Sequence, residues 1–383
     1  MSKESIKQTI DEFRTQSKGQ VVLVLQGGGA LGAYQVGVYQ ALHEGGVELD
    51  RIVGTSIGAI NAAIIAGNVF ADRLNKLEEF WRRMQRPSVW PFASAWPALA
   101  EPWNYLPIFI DGIPGFFKPN LQALWSAGVP SDVNNAAFYA TEALRETLAD
   151  LVDFTIINHG ALRLTVGAAN VQTSMMHYFD SREMPIAAEH IMASGALPPA
   201  FPAINIEGQF YWDGGILSNT PTEVIFDELP RHNSLIFAVH LWNPNGPVPR
   251  SILEALHRQK DIQYSSRIAS HAARQQQAHR LRHVISQLVE QIPTEQRNND
   301  FVRQLAGYGC KTQMHVVRLL VPRIENESHT QDIDFSSSGI RARREAGYTA
   351  TRQALERAPW RGEFDPIEGV ILHDEMEFQS AVE

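Results

Sequence analysis

Val21-Val22-Leu23-Val24-Leu25-Gln26-Gly27-Gly28-Gly29-Ala30-Leu31-Gly32 and, twenty residues on, Ile52-Val53-Gly54-Thr55-Ser56-Ile57-Gly58-Ala59-Ile60 decide how this chain is read. Val21 to Leu25 is a continuous apolar, β-branched-rich run, the pattern of a strand buried on both faces. Four glycines follow at once. Ala33 to His43 then has helical character and Gly45-Gly46 ends it. A second short strand near Ile52-Val53 runs into Gly54-Thr55-Ser56-Ile57-Gly58. A small-residue helix, Ala59 to Ala66, stops at Gly67-Asn68.

The two glycine turns ask different things of the backbone. Strand, Gly-x-Ser-x-Gly, helix is a nucleophile elbow, so tight that bulk at Gly54 or Gly58 would clash with neighbouring backbone. It presents the Ser56 hydroxyl beside a helix N-terminus, whose positive end favours the negative charge that develops in acyl transfer. The Gly27–Gly32 loop offers backbone N–H groups with no side chains in the way. Such a loop binds phosphate or holds an oxyanion. A rival reading is a dinucleotide site: Gly27-x-Gly29-x-x-Gly32 lies between strand and helix, and Asp50 stands about twenty residues on, where an acidic ribose ligand belongs. The loop does not end in Lys-Ser or Lys-Thr, which excludes a P-loop.

Taken with Asp213-Gly214-Gly215, the stretches Gly27–Gly32 and Gly54–Gly58 resemble, in order and separation, the three motifs of patatin-like phospholipases. Each motif alone is weak; the three in order are not. The resemblance spans roughly the first two-thirds of the chain. It implies a Ser–Asp dyad, with Ser56 the nucleophile and Asp213 its proton acceptor. It also implies an oxyanion hole in the Gly27–Gly32 loop, centred on the Gly28 and Gly29 amides. Many family members carry Arg or Lys where this chain has Leu31, so this loop supplies no cation for an anionic headgroup. The function expected is a serine acyl hydrolase: a lipid esterase of phospholipase A or lysophospholipase type, needing no cofactor and no metal. A non-catalytic lipid-binding protein is a third reading.

With 383 residues the chain can bury a large core. A formal net charge of −9 argues against nucleic acid as a partner. A lone cysteine, Cys310, makes no internal disulfide and suits a reducing compartment. Residues 1–20 are polar, with Ile6, Ile10 and Phe13 spaced for one helix face, and lack the apolar core of a signal peptide. No run is long and apolar enough to span a bilayer. The expectation is a cytoplasmic protein, at most peripheral to a membrane, with a homo-oligomer left open.

Alternating strands and helices through residues 21–245 predict an α/β three-layer sandwich on a mostly parallel sheet. Leu162–Ala169 and Ser234–Trp242 read as strands, and Asp72–Arg86 and Pro130–Leu151 as helices. Asn219 or Thr220 reads as the cap of a helix with Pro221 in its first turn. Five of the eight Trp fall between Trp81 and Trp125, among many prolines, so residues 87–125 read as an aromatic lid or cap over an acyl site. Residues 246–383 read as a mainly helical extension, with Ser251–Ile292 and Ser337–Arg357 as helices and Met314–Val321 a strand that can join the main sheet. This tail resembles an extension on some bacterial patatin-like proteins. His279 and His283 stand four apart, a metal spacing on a helix, but no third ligand is evident. His177 and His240 are the histidines to test for a triad, and each reads first as structural.

Overall fold

The computed structural model describes residues 2–86, 112–113, 115–120, 123, 132–133, 136–322, 331–365 and 367–374. The strands are β1 (Gln20–Leu25), β2 (Arg51–Gly54), β3 (Lys118–Pro119), β4 (Tyr139–Ala140), β5 (Arg163–Asn170), β6 (Met176–Asp180), β7 (Ile204–Ile206), β8 (Gln209–Asp213), β9 (Ser234–His240), β10 (Met314–Leu320) and β11 (Val370–Asp374). The main sheet runs β11-β10-β9-β1-β2-β5-β8-β7, with β6 paired to β5. From β11 to β5 every pairing is parallel; β6, β8 and β7 attach antiparallel. This is an α/β fold on a mostly parallel sheet.

The apolar run of β1 is continuous because both of its faces are covered. Val21, Leu23 and Leu25 join one core cluster, and Val22 and Val24 join another. On the first face the helices Ala33–Glu44 and Ser337–Arg357 lie against each other at a glycine contact: a Cβ on Gly37 would sit 1.8 Å from the Arg344 carbonyl oxygen, and one on Gly347 2.1 Å from that of Tyr34. The N-terminal helix Lys3–Ser17 buries Ile6, Ile10 and Phe13, the face its spacing predicted.

The C-terminal region supplies more sheet than its composition suggests. β10 lies parallel beside β9, and β11, which no sequence feature marked, lies parallel beside β10. The long helix runs from Ile252 to Gln291. No described helix is long and apolar enough to cross a membrane.

Two expectations are corrected. Pro130–Leu151 is not one helix: the helix begins at Glu142, and β4 precedes it. The Phe138 and Tyr139 N–H groups donate to the carbonyls of Pro199 and Ala200, which keeps that backbone extended. After Asp213 the helix begins only at Glu223, so neither Asn219 nor Thr220 caps it and Pro221 lies before its first turn. Most of the lid expected at 87–125 lies outside the described residues; within it, Ile113 bridges Phe117, and β3 pairs with β4.

Candidate active site

β2 ends at Gly54, and Ser56 follows at the tip of a turn into the helix Ile57–Ala66. The turn is as tight as its glycines suggest. A Cβ on Gly54 would lie 2.4 Å from the Gly58 carbonyl oxygen, and one on Gly58 would lie 2.2 Å from that of Leu25. Ser56 itself has φ 57° and ψ −128°, a conformation that costs a non-glycine residue about 1–3 kcal/mol. Its N–H is held by Ser194, through both the carbonyl and the hydroxyl at 3.1 Å. The Ser194 hydroxyl in turn donates to the Gly167 carbonyl on β5.

β8 delivers Asp213 opposite Ala168 of β5. Ser56 and Asp213 line the same cavity, and the serine side chain acts on the carboxyl as a hydrogen-bonding neighbour that pulls it down. The Gly215 N–H donates to Asp213 Oδ1 at 2.7 Å. Residues 56 and 213, far apart in sequence, are thus brought together at one cavity. Asp213 is buried, and no cation among the described residues acts on its carboxyl. Burial pushes its carboxyl up to about 6, against the pull of the Ser56 and Gly215 hydrogen bonds.

The Gly27–Gly32 loop leaves β1 next to this pair. Three of its N–H groups are occupied: Gly27 donates to the Asn219 carbonyl, Ala30 to that of Asp332, and Leu31 to that of Gly28. Among the described residues, Gly28 and Gly29 keep their N–H groups without an intramolecular partner. The Gly27 carbonyl is fixed from the other side by Asn219 Nδ2 at 3.0 Å and Trp242 Nε1 at 2.8 Å. Asn219 thus ties the first motif to the third, a role that the sequence order Leu217-Ser218-Asn219 did not reveal. Leu31 is fully buried. Gly32, where the loop passes into its helix, packs against Ile57: a Cβ there would meet that side chain at 2.7 Å. Gly214 packs on the β5 backbone, a Cβ there lying 2.4 Å from the Gly167 carbonyl oxygen.

Ser56, Asp213, Gly28 and Gly29 open into one cavity of about 270 Å³. Its walls are mainly apolar, among them Ile60, Phe117, Tyr139, Phe201 and Phe335. Lys260 and Asp332, from the C-terminal region, stand at the same cavity. No described histidine lines it. His177 packs on Phe179 and Tyr211, and His240 faces a different cavity. The metal spacing at His279 and His283 is used otherwise: His283 Nε2 bonds the Thr312 carbonyl, and His279 packs edge-on against Phe226. Asp50 lies at the opposite end of the sheet from the glycine loop, before β2 rather than after it. It accepts from the Val21 N–H at 2.7 Å and pairs with Arg14.

A family model described as patatin-like phospholipase matches residues 23–226, more than half of the chain. The chain belongs to the patatin-like phospholipase family. A second family model, described as patatin phospholipase, matches residues 262–367, so the C-terminal region also has a counterpart in other patatins. Among curated relatives, a lysophospholipase of Aspergillus terreus is 47% identical over 74 residues, 19% of this chain and 5% of its own length. Human patatin-like phospholipase domain-containing protein 6 is 39% identical over 70 residues, 18% of this chain and 5% of its own. A lysophospholipase of Scheffersomyces stipitis is 24% identical over 208 residues, 54% of this chain and 11% of its own. The chain thus spans about 5% of the length of the first relatives it matches. Among solved structures, VipD of Legionella pneumophila matches with a TM-score of 0.38 and 17% identity over 95% of this chain and 74% of that one.

Proposed function

We propose that this chain is a serine acyl hydrolase acting on lipid esters, of lysophospholipase or phospholipase A type, through a Ser56–Asp213 dyad. The observation that supports this reading is the nearness of the Ser56 side chain to the buried Asp213 carboxyl, on which no described cation acts, in a cavity that no described histidine lines. Ser56 Oγ attacks the ester carbonyl carbon while its proton passes to Asp213. The tetrahedral oxyanion takes hydrogen bonds from the Gly28 and Gly29 amides, each such donor typically worth about 3 kcal/mol. Collapse expels the alcohol, which leaves with the proton held on Asp213, and an acyl-enzyme remains. Water then gives a proton to Asp213 and attacks the acyl carbon; the bond to Ser56 Oγ breaks, Asp213 returns the proton to that oxygen, and the acid is released. An ordinary aspartate is a weak base for a serine; one whose carboxyl titrates near 6 is better matched to neutral pH.

The apolar walls suit an acyl chain. The acyl-hydrolase unit of residues 21–245 is completed by the later region, which contributes Lys260, Asp332 and Phe335 to the same cavity. The dinucleotide reading loses its ribose ligand, because Asp50 is committed at the far end of the sheet.

Nitrophenyl esters of graded chain length, lysophospholipid and a fluorophosphonate probe test the proposal. Wild-type protein is expected to hydrolyse esters and to be labelled on Ser56. Ser56→Ala should lose both, and His177→Ala should retain activity. An unlabelled Ser56 in folded protein would leave a lipid-binding role instead.

A further inference from the structure

A second cavity, of about 90 Å³, lies behind the segment that follows Asp213. Its floor is the face of the sheet formed by Ala238 and His240 on β9, Val316 and Arg318 on β10, and Leu372 on β11. Ile236, Ala238, Met314 and Val316 belong to one apolar cluster, so this face is greasy until its C-terminal end. There it becomes polar on adjacent strands, at His240 and Arg318.

Neither of these two groups is fully used. His240 is 3% exposed, and its Nδ1 has no hydrogen-bond partner among the described residues. Arg318 Nη1 pairs with Asp374 at 2.9 Å, while its buried Nε has no partner among them. Burial, followed by the neighbouring Arg318 charge, drives His240 down to about 3, so it stands there as a neutral imidazole. The rest of the lining mixes apolar side chains with Ser218, Thr220, Thr222, Gln263 and His271. A buried guanidinium N–H, beside an imidazole nitrogen that donates in one of its two neutral tautomers, is costly to leave unpaired unless an acceptor sits there. A guanidinium has five N–H groups in a planar fork, so Arg318 can hold Asp374 and still donate to a second acceptor.

We propose that this cavity binds a small carboxylate with a short apolar tail. Its oxygens accept from Arg318 Nε–H and His240 Nδ1–H, and its carbon chain lies against Phe226, Val316 and Leu372. Gly215, Asn219 and Tyr264 line both this cavity and the one that holds Ser56. They form a shared wall through which an occupant is felt at the Asp213 loop.

Calorimetric titration of the full chain with hexanoate, and with hexanamide as the uncharged control, tests this. Hexanoate should bind with Kd of about 1 mM or tighter, and hexanamide at least about tenfold more weakly. Arg318→Met should weaken hexanoate at least about tenfold. Asp374→Asn, which frees the guanidinium, should tighten it. Any component of binding that Arg318→Met leaves unchanged belongs to the other cavity. No hexanoate binding, or binding that folded Arg318→Met retains in full, would mean a water-filled cavity only and overturn the proposal. Should Arg318→Met fail to fold, Asp374→Asn decides alone: tighter binding supports the site, and unchanged or weaker binding removes it.

Discussion

Two carboxylates, Asp180 and Asp213, are buried against the same strand and are held in opposite electrostatic states. Asp180 faces Thr165 across β5, and Asp213 faces Ala168, three residues further along. Burial raises both. At Asp180 that push is overcome by hydrogen bonds from Arg163, Thr165 and the Arg182 N–H, so its carboxyl sits below the ordinary range. Arg51 adds a further contact at 3.1 Å, and Glu228 balances the two guanidiniums from the other side. At Asp213 only a serine hydroxyl and one amide oppose burial, and its carboxyl rises to about 6. The first carboxylate is a fixed charge that ties strands together. The second is poised to take up a proton. Both side chains are almost wholly shielded from solvent, and what distinguishes them most is the arginines at one and, among the described residues, their absence at the other.

Removing each charge should therefore have opposite consequences. Asp213→Asn is expected to lower kcat by about a thousandfold or more, as loss of a partner does in serine hydrolases, and at neutral pH to raise stability by on the order of 2 kcal/mol. Asp180→Asn should lose about 3–5 kcal/mol of stability, because it leaves Arg51, which is 1% exposed, and Arg163 with Glu228 as their one shared carboxylate near at hand. Its kcat per folded molecule should change little. Urea melts beside ester assays measure both. If Asp213→Asn destabilises as Asp180→Asn does, the two sites do not differ in the way argued.

The pH dependence sharpens the contrast. Asp213 must be ionised to accept the Ser56 proton, so kcat/KM should rise with pH through an apparent pKa near 6. Stability runs the other way. The folded carboxyl titrates at about 6 against a model value of 3.8, so the folded state binds more protons between those values. Its contribution is fully present below about 3.8 and is lost as pH rises towards 6. Asp180, shifted downward, contributes stability above the usual Asp range that is lost on acidification. Buried His240, His315 and His373 also destabilise the fold on acidification, since burial holds them at about 3, 4 and 4, below 6.5. The Asp213 term is therefore best read from the difference in melting temperature between Asp213→Asn and wild type. That difference should shrink towards zero near pH 4 and be largest above pH 6.

The sequence showed the local parts of this arrangement and not the long-range ones. The elbow at Ser56 and the loop at Gly27–Gly32 are written in glycines, because only glycine fits backbone approaches as close as those at Gly54 and Gly58. β1 and β9 were legible as unbroken apolar runs, since both faces of each are covered. Asp180 had no signature: its arginines come from residues 51 and 163 and meet it only through strand register. Asn219 looked like a helix cap because Asn commonly serves as one, yet it bridges to Gly27. β11 was missed because Val370-Ile371-Leu372 is a short run inside a polar tail, and its place depends on β10 offering an edge.

The smallest expected effect concerns Lys260, which supplies a cation at the active-site cavity where the glycine loop has Leu31 instead. Its Nζ lies 2.5 Å from Asp332 Oδ2. The Asp332 carbonyl accepts from the Ala30 N–H at 2.8 Å. That carbonyl also sits where a Cβ on Gly29 would be only 2.3 Å away, and Gly29 has φ 56°. The ion pair thus steadies the loop whose Gly28 and Gly29 amides face the cavity. Its side chain is 42% exposed, so the pair contributes at most about 1 kcal/mol to stability. Lys260→Met should leave the melting temperature nearly unchanged and lower kcat a few-fold at constant KM on a neutral ester, because a looser loop costs most where the oxyanion forms. If KM for an anionic lipid rises while kcat holds, Lys260 serves the headgroup rather than the loop, and the cation acts on the substrate directly.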